Sequence, residues 1–61
     1  MELYRLVDRY EGFEVIYKSN SFKKCKEYAK YYDREVVDGE CYLSLYKYDG
    51  RRYIIVNEWS Y

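Results

Sequence analysis

Asp49-Gly50 stands between two runs, Cys41 to Tyr48 and Arg51 to Trp59, that are rich in aliphatic and aromatic residues. An Asp-Gly pair tolerates the positive φ angles of a tight hairpin turn, so a two-residue turn is expected and the register can be counted outward from it. On one face Tyr48 then opposes Arg51, Tyr46 opposes Tyr53, Ser44 opposes Ile55 and Tyr42 opposes Asn57. On the other, Leu45 meets Ile54, Leu43 meets Val56 and Cys41 meets Glu58. Opposed side chains share a face of a sheet, and a one-residue slip exchanges the faces. The Leu/Ile/Val face is therefore expected to join the core, and the tyrosine face to stay outside it.

The first third of the chain carries the same period of two. Leu3 to Tyr10 and Phe13 to Lys18 flank Glu11-Gly12, which reads as a second hairpin. Leu6, Phe13, Val15 and Tyr17 are taken as its inward set, which leaves Val7 and Ile16 facing out; the opposite set, Leu3, Val7 and Ile16, is nearly as apolar. From Phe22 the period changes to that of a helix, with Phe22, Cys25, Ala29 and Tyr32 on one stripe and Tyr28 at its edge. Ser21 is placed to cap its N-terminus. The helix should fade between Asp33 and Glu35, and Asp38-Gly39 should end the connection to the next strand. The expected fold class is α+β: a single small ββαββ domain over residues 1–61, with one helix packed on a four-stranded, mostly antiparallel sheet. The pattern does not set the strand order.

A chain this short buries only about 60% of the surface its unfolded form exposes. Small domains commonly add a disulfide, a metal or self-association to a core of that size. With no histidine and only Cys25 and Cys41 as thiols, the chain lacks the ligands of a structural zinc site, and no cofactor is expected. A Cys25–Cys41 disulfide is possible, but two reduced, buried thiols are the plainer expectation. Self-association into a homodimer is the remaining supplement.

Eleven basic and eleven acidic side chains give a formal charge of zero. That balance offers no general attraction to nucleic acid or to an anionic membrane. No apolar run reaches the roughly 20 residues that span a bilayer. Met1-Glu2-Leu3-Tyr4-Arg5 lacks the layout of a signal peptide, so the expected location is cytoplasmic. Proline, threonine, glutamine and histidine are absent and Ala29 is the only alanine, a bias that fits an AT-rich genome.

Catalytic chemistry finds little support. No histidine is present to act as a base, Ser44 has no visible activating partner, and both cysteines fall on predicted core faces. Gly12, Gly39 and Gly50 sit singly and form no phosphate-cradling loop. Asp33, Glu35, Asp38 and Glu40 do not match a calcium loop and read as a solvated connection. The lysines of the helix read as a solubilising surface.

The tyrosine face is the most specific feature. Eleven of the 61 residues are tyrosine, more than a small core can hide. The expected site comprises Tyr42, Tyr46, Tyr48, Arg51, Tyr53 and Ile55, rimmed by Arg5, Arg9 and Lys18. Tyr and Arg anchor protein interfaces. Tyrosines on a sheet can also stack nucleic-acid bases while basic residues hold the phosphates. The aliphatic neighbours and the zero charge favour protein. The expectation is thus a non-catalytic module that binds a larger protein, such as a phage or mobile-element product that inhibits a host protein by occupying a surface. Single-strand nucleic-acid binding is the alternative.

Overall fold

The computed structural model describes residues 2–10, 12–37 and 41–60. Its strands are β1 (Tyr4–Asp8), β2 (Glu14–Ser19), β3 (Tyr42–Tyr48) and β4 (Tyr53–Ser60), with helix α1 (Phe22–Tyr31) between β2 and β3. All three strand pairings are antiparallel, and the order is β2-β1-β3-β4. The expected one-helix, four-stranded α+β fold is present. The connection through α1 leaves the sheet at its β2 edge and returns beside β1, so β1 and β3 become the central strands.

Helix α1 begins where the sequence places its cap. Ser21 is extended, and its hydroxyl accepts the Lys24 N–H at 3.3 Å. Replacing such a cap by alanine costs about 1 kcal/mol. The helix ends in one wider π-helical turn, Tyr32–Val36, where the Val37 N–H donates to the Tyr32 carbonyl at 3.1 Å. Tyr32 packs on the core, and its hydroxyl donates to the Asp8 carboxylate at 2.6 Å. The turn thereby ties the helix end to the end of β1.

Between helix and sheet lie Leu6, Leu43, Leu45, Cys25, Ala29, Tyr32 and Cys41, all buried. Cys25 and Ala29 are small, which lets the helix lie close over the leucines of the central strands. Tyr4, Ile16, Tyr17, Tyr28, Val37 and Trp59 close the margins. Tyr17 stacks on Tyr28 with ring centroids 4.4 Å apart, and Tyr4 meets Phe22 edge-on at 6.0 Å. Phe22 itself is more than a third exposed, so it seals the rim of the core. Both cysteines are buried and free.

The second hairpin departs from the counted register. Tyr48 pairs with Tyr53, so the loop is the four residues Asp49–Arg52. The Asp49 carboxylate accepts the N–H groups of Arg51 (2.9 Å) and Arg52 (3.0 Å), which fixes this longer turn and holds the Asp49 carboxyl below its ordinary range. Tyr46 then faces Ile55, and a bulge at Val56 puts Leu45 opposite Asn57 and Leu43 opposite Trp59. The physical reason lies in the counted register, which set Glu58 against Cys41 on the core face. Burying an unpaired carboxylate is costly. The bulge turns Glu58 outward, where it accepts from the Tyr42 hydroxyl, and brings Trp59 onto the core. Ile54, moved opposite Lys47 by the longer turn, and Val56, at the bulge, were expected inside and are exposed.

The first hairpin also carries a bulge. Leu6 pairs with Tyr17 but Val7 pairs with Val15, so the faces exchange at Ile16. Leu6 and Tyr17 face the core as expected, whereas Val15 and Phe13 do not. Ile16, expected outside, packs on the core instead. Gly12 has φ +142°, a conformation that side chains rarely adopt. The expected turn residue Glu11 and the Asp38-Gly39-Glu40 connection lie outside the described residues.

Candidate functional site: the outer face of the sheet

The sheet face turned away from α1 carries alternate residues of all four strands. Register sets Arg5 between Lys18 and Tyr46, Val7 between Val15 and Ser44, Ile55 opposite Tyr46 and Tyr53 opposite Tyr48. Val7 is 1% exposed and Ser44 fully buried, although no helix covers them. Large neighbours do that work. The Phe13 ring lies 5.8 Å from that of Tyr46, and the Arg5 guanidinium sits 4.1 Å above the Tyr53 ring. Tyr53 is held by a 5.2 Å ring contact with Tyr48 and by donating its hydroxyl to the Glu2 carbonyl at 2.8 Å.

Between these side chains lies a cleft of about 230 Å³, lined by Arg5, Val7, Phe13, Val15, Tyr46 and Tyr53. Its walls are mostly apolar, and its one charge is the stacked guanidinium. The Arg5 Nε is shielded from water and has no acceptor, and the Ser44 hydroxyl is equally unpartnered. A buried donor without a partner costs roughly 1–3 kcal/mol, more when charged, so this face holds unused binding capacity.

Of the residues expected from sequence, Tyr46 and Tyr53 line the cleft. Tyr48 backs Tyr53 and donates its hydroxyl to the Gly50 carbonyl at 3.1 Å. Ile55 is exposed on the same face beside Tyr46. Tyr42 lies at the far end with Arg9 5.8 Å from its ring. Its hydroxyl is pushed above the ordinary range, first by its hydrogen bond to Glu58. Arg51 is exposed in the turn. Sequence reasoning set Val7 on the outer face beside the tyrosines, placed Arg5 only at the rim, and put Phe13 and Val15 inside the core. The forced Cys41–Glu58 pairing was the available signal of a register slip in the second hairpin. Nothing comparable marked the bulge in the first.

A second cavity, about 430 Å³, opens at the Asp8 end of β1 beside Asp8, Tyr10, Glu14, Tyr32 and Val37, and shares Phe13 with the cleft. It is polar, and Asp8 is already engaged by the Tyr32 hydroxyl and by the Tyr10 N–H at 2.9 Å. Burial raises the Tyr32 phenol well above its usual range, and the hydrogen bond to Asp8 adds to the rise. Burial likewise raises both thiols, with Asp33 and Asp8 contributing at Cys41. Among the described residues no three His, Cys, Asp or Glu side chains group as metal ligands would, and no helix is long and apolar enough to cross a membrane.

These raised groups predict an alkaline limit. Each is bound to its proton more tightly in the folded state, so their contribution to stability is full below the unfolded pKa values. It is lost as pH rises past roughly 8.5 for the thiols and roughly 10 for the phenol. Urea melts should be flat from pH 6 to 8 and fall steadily above 9. Iodoacetamide at pH 8 should label Cys25 and Cys41 only as fast as the chain opens. Labelling at the rate of a free thiol would contradict the buried placement.

No known family model, characterised protein or solved structure matches the chain. Function is therefore argued from this face alone.

Proposed function

We propose that the protein is a cytoplasmic, non-catalytic binding module that occupies a surface on a larger protein through the outer face of its sheet. A phage or mobile-element product that inhibits a host protein fits its bias toward amino acids with AT-rich codons. The observation that carries the reading is the cleft walled by Tyr46, Tyr53, Phe13 and Arg5, with the apolar side chain of Ile55 exposed beside it. Aromatic rings and an arginine with a shielded Nε around a small apolar recess are what binding hot spots are made of. The same geometry weakens the stacking alternative. Bases need open ring faces, and Arg5 already lies over Tyr53 while Phe13 lies against Tyr46. A tagged protein incubated with lysate from a low-GC bacterium should retain a stoichiometric protein partner. Recovery of short nucleic-acid fragments without such a protein would reverse the assignment.

The chain is also proposed to pair with a second copy along the β4 edge. Ile54, Ile55 and Val56 are exposed in succession on this edge strand, whose outer backbone groups have no neighbour in the sheet. Such an edge is a template for another strand. Light scattering at micromolar concentration should give about twice the 7.7 kDa chain mass. Ile54→Asp should restore the monomer, and Tyr46→Ala should leave the pair intact. A mass of 7.7 kDa at every concentration rules the pair out.

A further inference from the structure

We propose that the outer-face cleft is specific for a carboxylate carried beside an apolar group, and that its occupant is an acidic segment of the partner protein: an Asp or Glu next to an aliphatic or aromatic side chain. The proposal rests on the protein-binding reading above and adds the chemistry of what is bound. Zero net charge still leaves the outer face locally basic among the described residues. Arg5 and Lys18 lie on the outer face, and Arg9 lies against Tyr42 there. Among the described residues, the acid in register on that face is Glu58, which is engaged by the Tyr42 hydroxyl. Asp8 faces the other way, toward Tyr32 beneath the helix end. An approaching acidic segment therefore meets uncompensated positive charge on this face.

The cleft supplies the rest of the recognition. The Arg5 guanidinium carbon sits 4.1 Å from the centre of the Tyr53 ring, which is itself held by its bond to the Glu2 carbonyl. Because the Arg5 Nε has already lost its water and has no acceptor, an incoming carboxylate gains a charge-assisted hydrogen bond without stripping the donor. Val7 and Val15 form an apolar floor and wall for the neighbouring side chain. Phe13, the least buried of the side chains that line the cleft, is 65% exposed and stands in its wall with its ring 5.8 Å from that of Tyr46. The buried, unpartnered Ser44 hydroxyl sits on the same face directly across from Val7, a second polar group without an acceptor.

The test uses the whole chain and two matched probes, 4-phenylbutyrate and 4-phenylbutyramide, followed by heteronuclear NMR. The acid should shift the resonances of Arg5, Val7, Tyr46 and Tyr53 at millimolar concentration, and the amide should bind at least tenfold more weakly. Arg5→Gln should abolish that preference, and Lys30→Gln, exposed on α1, should keep it. If Arg5→Gln loses its dispersed spectrum, Arg5→Lys serves instead. It keeps the charge but not the planar fork, and is expected to lose at least threefold. Equal affinity for acid and amide, shifts centred on Asp8 and Tyr32, or an unchanged preference in the Arg5 variant would each overturn the proposal. So would a ten-residue oligothymidylate that displaces the acid at a tenth of its concentration, in favour of nucleic acid. A partner protein captured equally by wild type and Arg5→Gln, but lost with Tyr46→Ala, would remove this inference and leave the binding-module reading standing.

Discussion

Leu45→Ala is expected to remove half or more of the stability of this protein. Leu45 is fully buried on central strand β3 and lies directly opposite Leu6, also fully buried on β1. Truncating a core leucine to alanine costs about 2–5 kcal/mol, with the larger values where the surroundings cannot collapse into the gap. Here they cannot. β3 is clamped by β1 and β4, and the helix residues above it, Cys25 and Ala29, are too small to reach down. A domain of this length has only about 3–9 kcal/mol in total by the usual per-residue scale. Ile54→Ala, on an exposed position of β4, should cost far less, about 0.5 kcal/mol. Urea unfolding followed by circular dichroism compares the two variants. Similar midpoints would mean that β4 and its contacts to a second copy carry the stability, and the Leu45 midpoint would then rise with protein concentration.

The asymmetry between those two positions also marks where sequence reasoning succeeded. The change of period at Phe22, the Ser21 cap and the alternation of β3 each have a local physical cause, so the elements and the leucine core could be read directly. Leu43 and Leu45 kept their expected faces because β3 is regular from Tyr42 to Tyr48. Bulges decide the rest, and a bulge is a compromise between distant groups. In β4 the alternation expected from Ile54 and Val56 yields to the gain from burying Trp59 and freeing Glu58. In β2 the exchange at Ile16 sends Val15 and Phe13 to the outer face, where they become walls of the cleft. The tyrosine face was legible as a surface because its residues come mostly from the one regular strand and its partner. The cleft within it was not, since half of its lining comes from the first hairpin beyond the bulge.

Tyr46→Ala is expected to weaken partner binding at least thirtyfold while leaving the fold in place. Tyr46 stands at the centre of the outer face: Arg5 lies beside it on β1, Ile55 on β4, and Phe13 packs against its ring. Its removal opens the wall of the cleft and frees Phe13, so both the apolar recess and the side chains around it are lost together. Truncating such a central aromatic commonly costs about 2 kcal/mol or more in binding, which at about 1.4 kcal/mol per decade is a factor near thirty. The ring is only half-buried, so the loss of folding stability should be smaller than that from Leu45. Arg51→Ala is the matched control, because Arg51 is exposed in the turn and peripheral charges contribute little to affinity. It should change binding less than threefold. Calorimetric titration of the partner recovered by capture, with circular dichroism of each variant, measures both quantities. An Arg51→Ala loss as large as that of Tyr46→Ala would move the working surface to the turn end of the hairpin. Two neutral substitutions would show that the outer face is not where the partner sits, and that its rings serve only to shield Val7 and Ser44 from water.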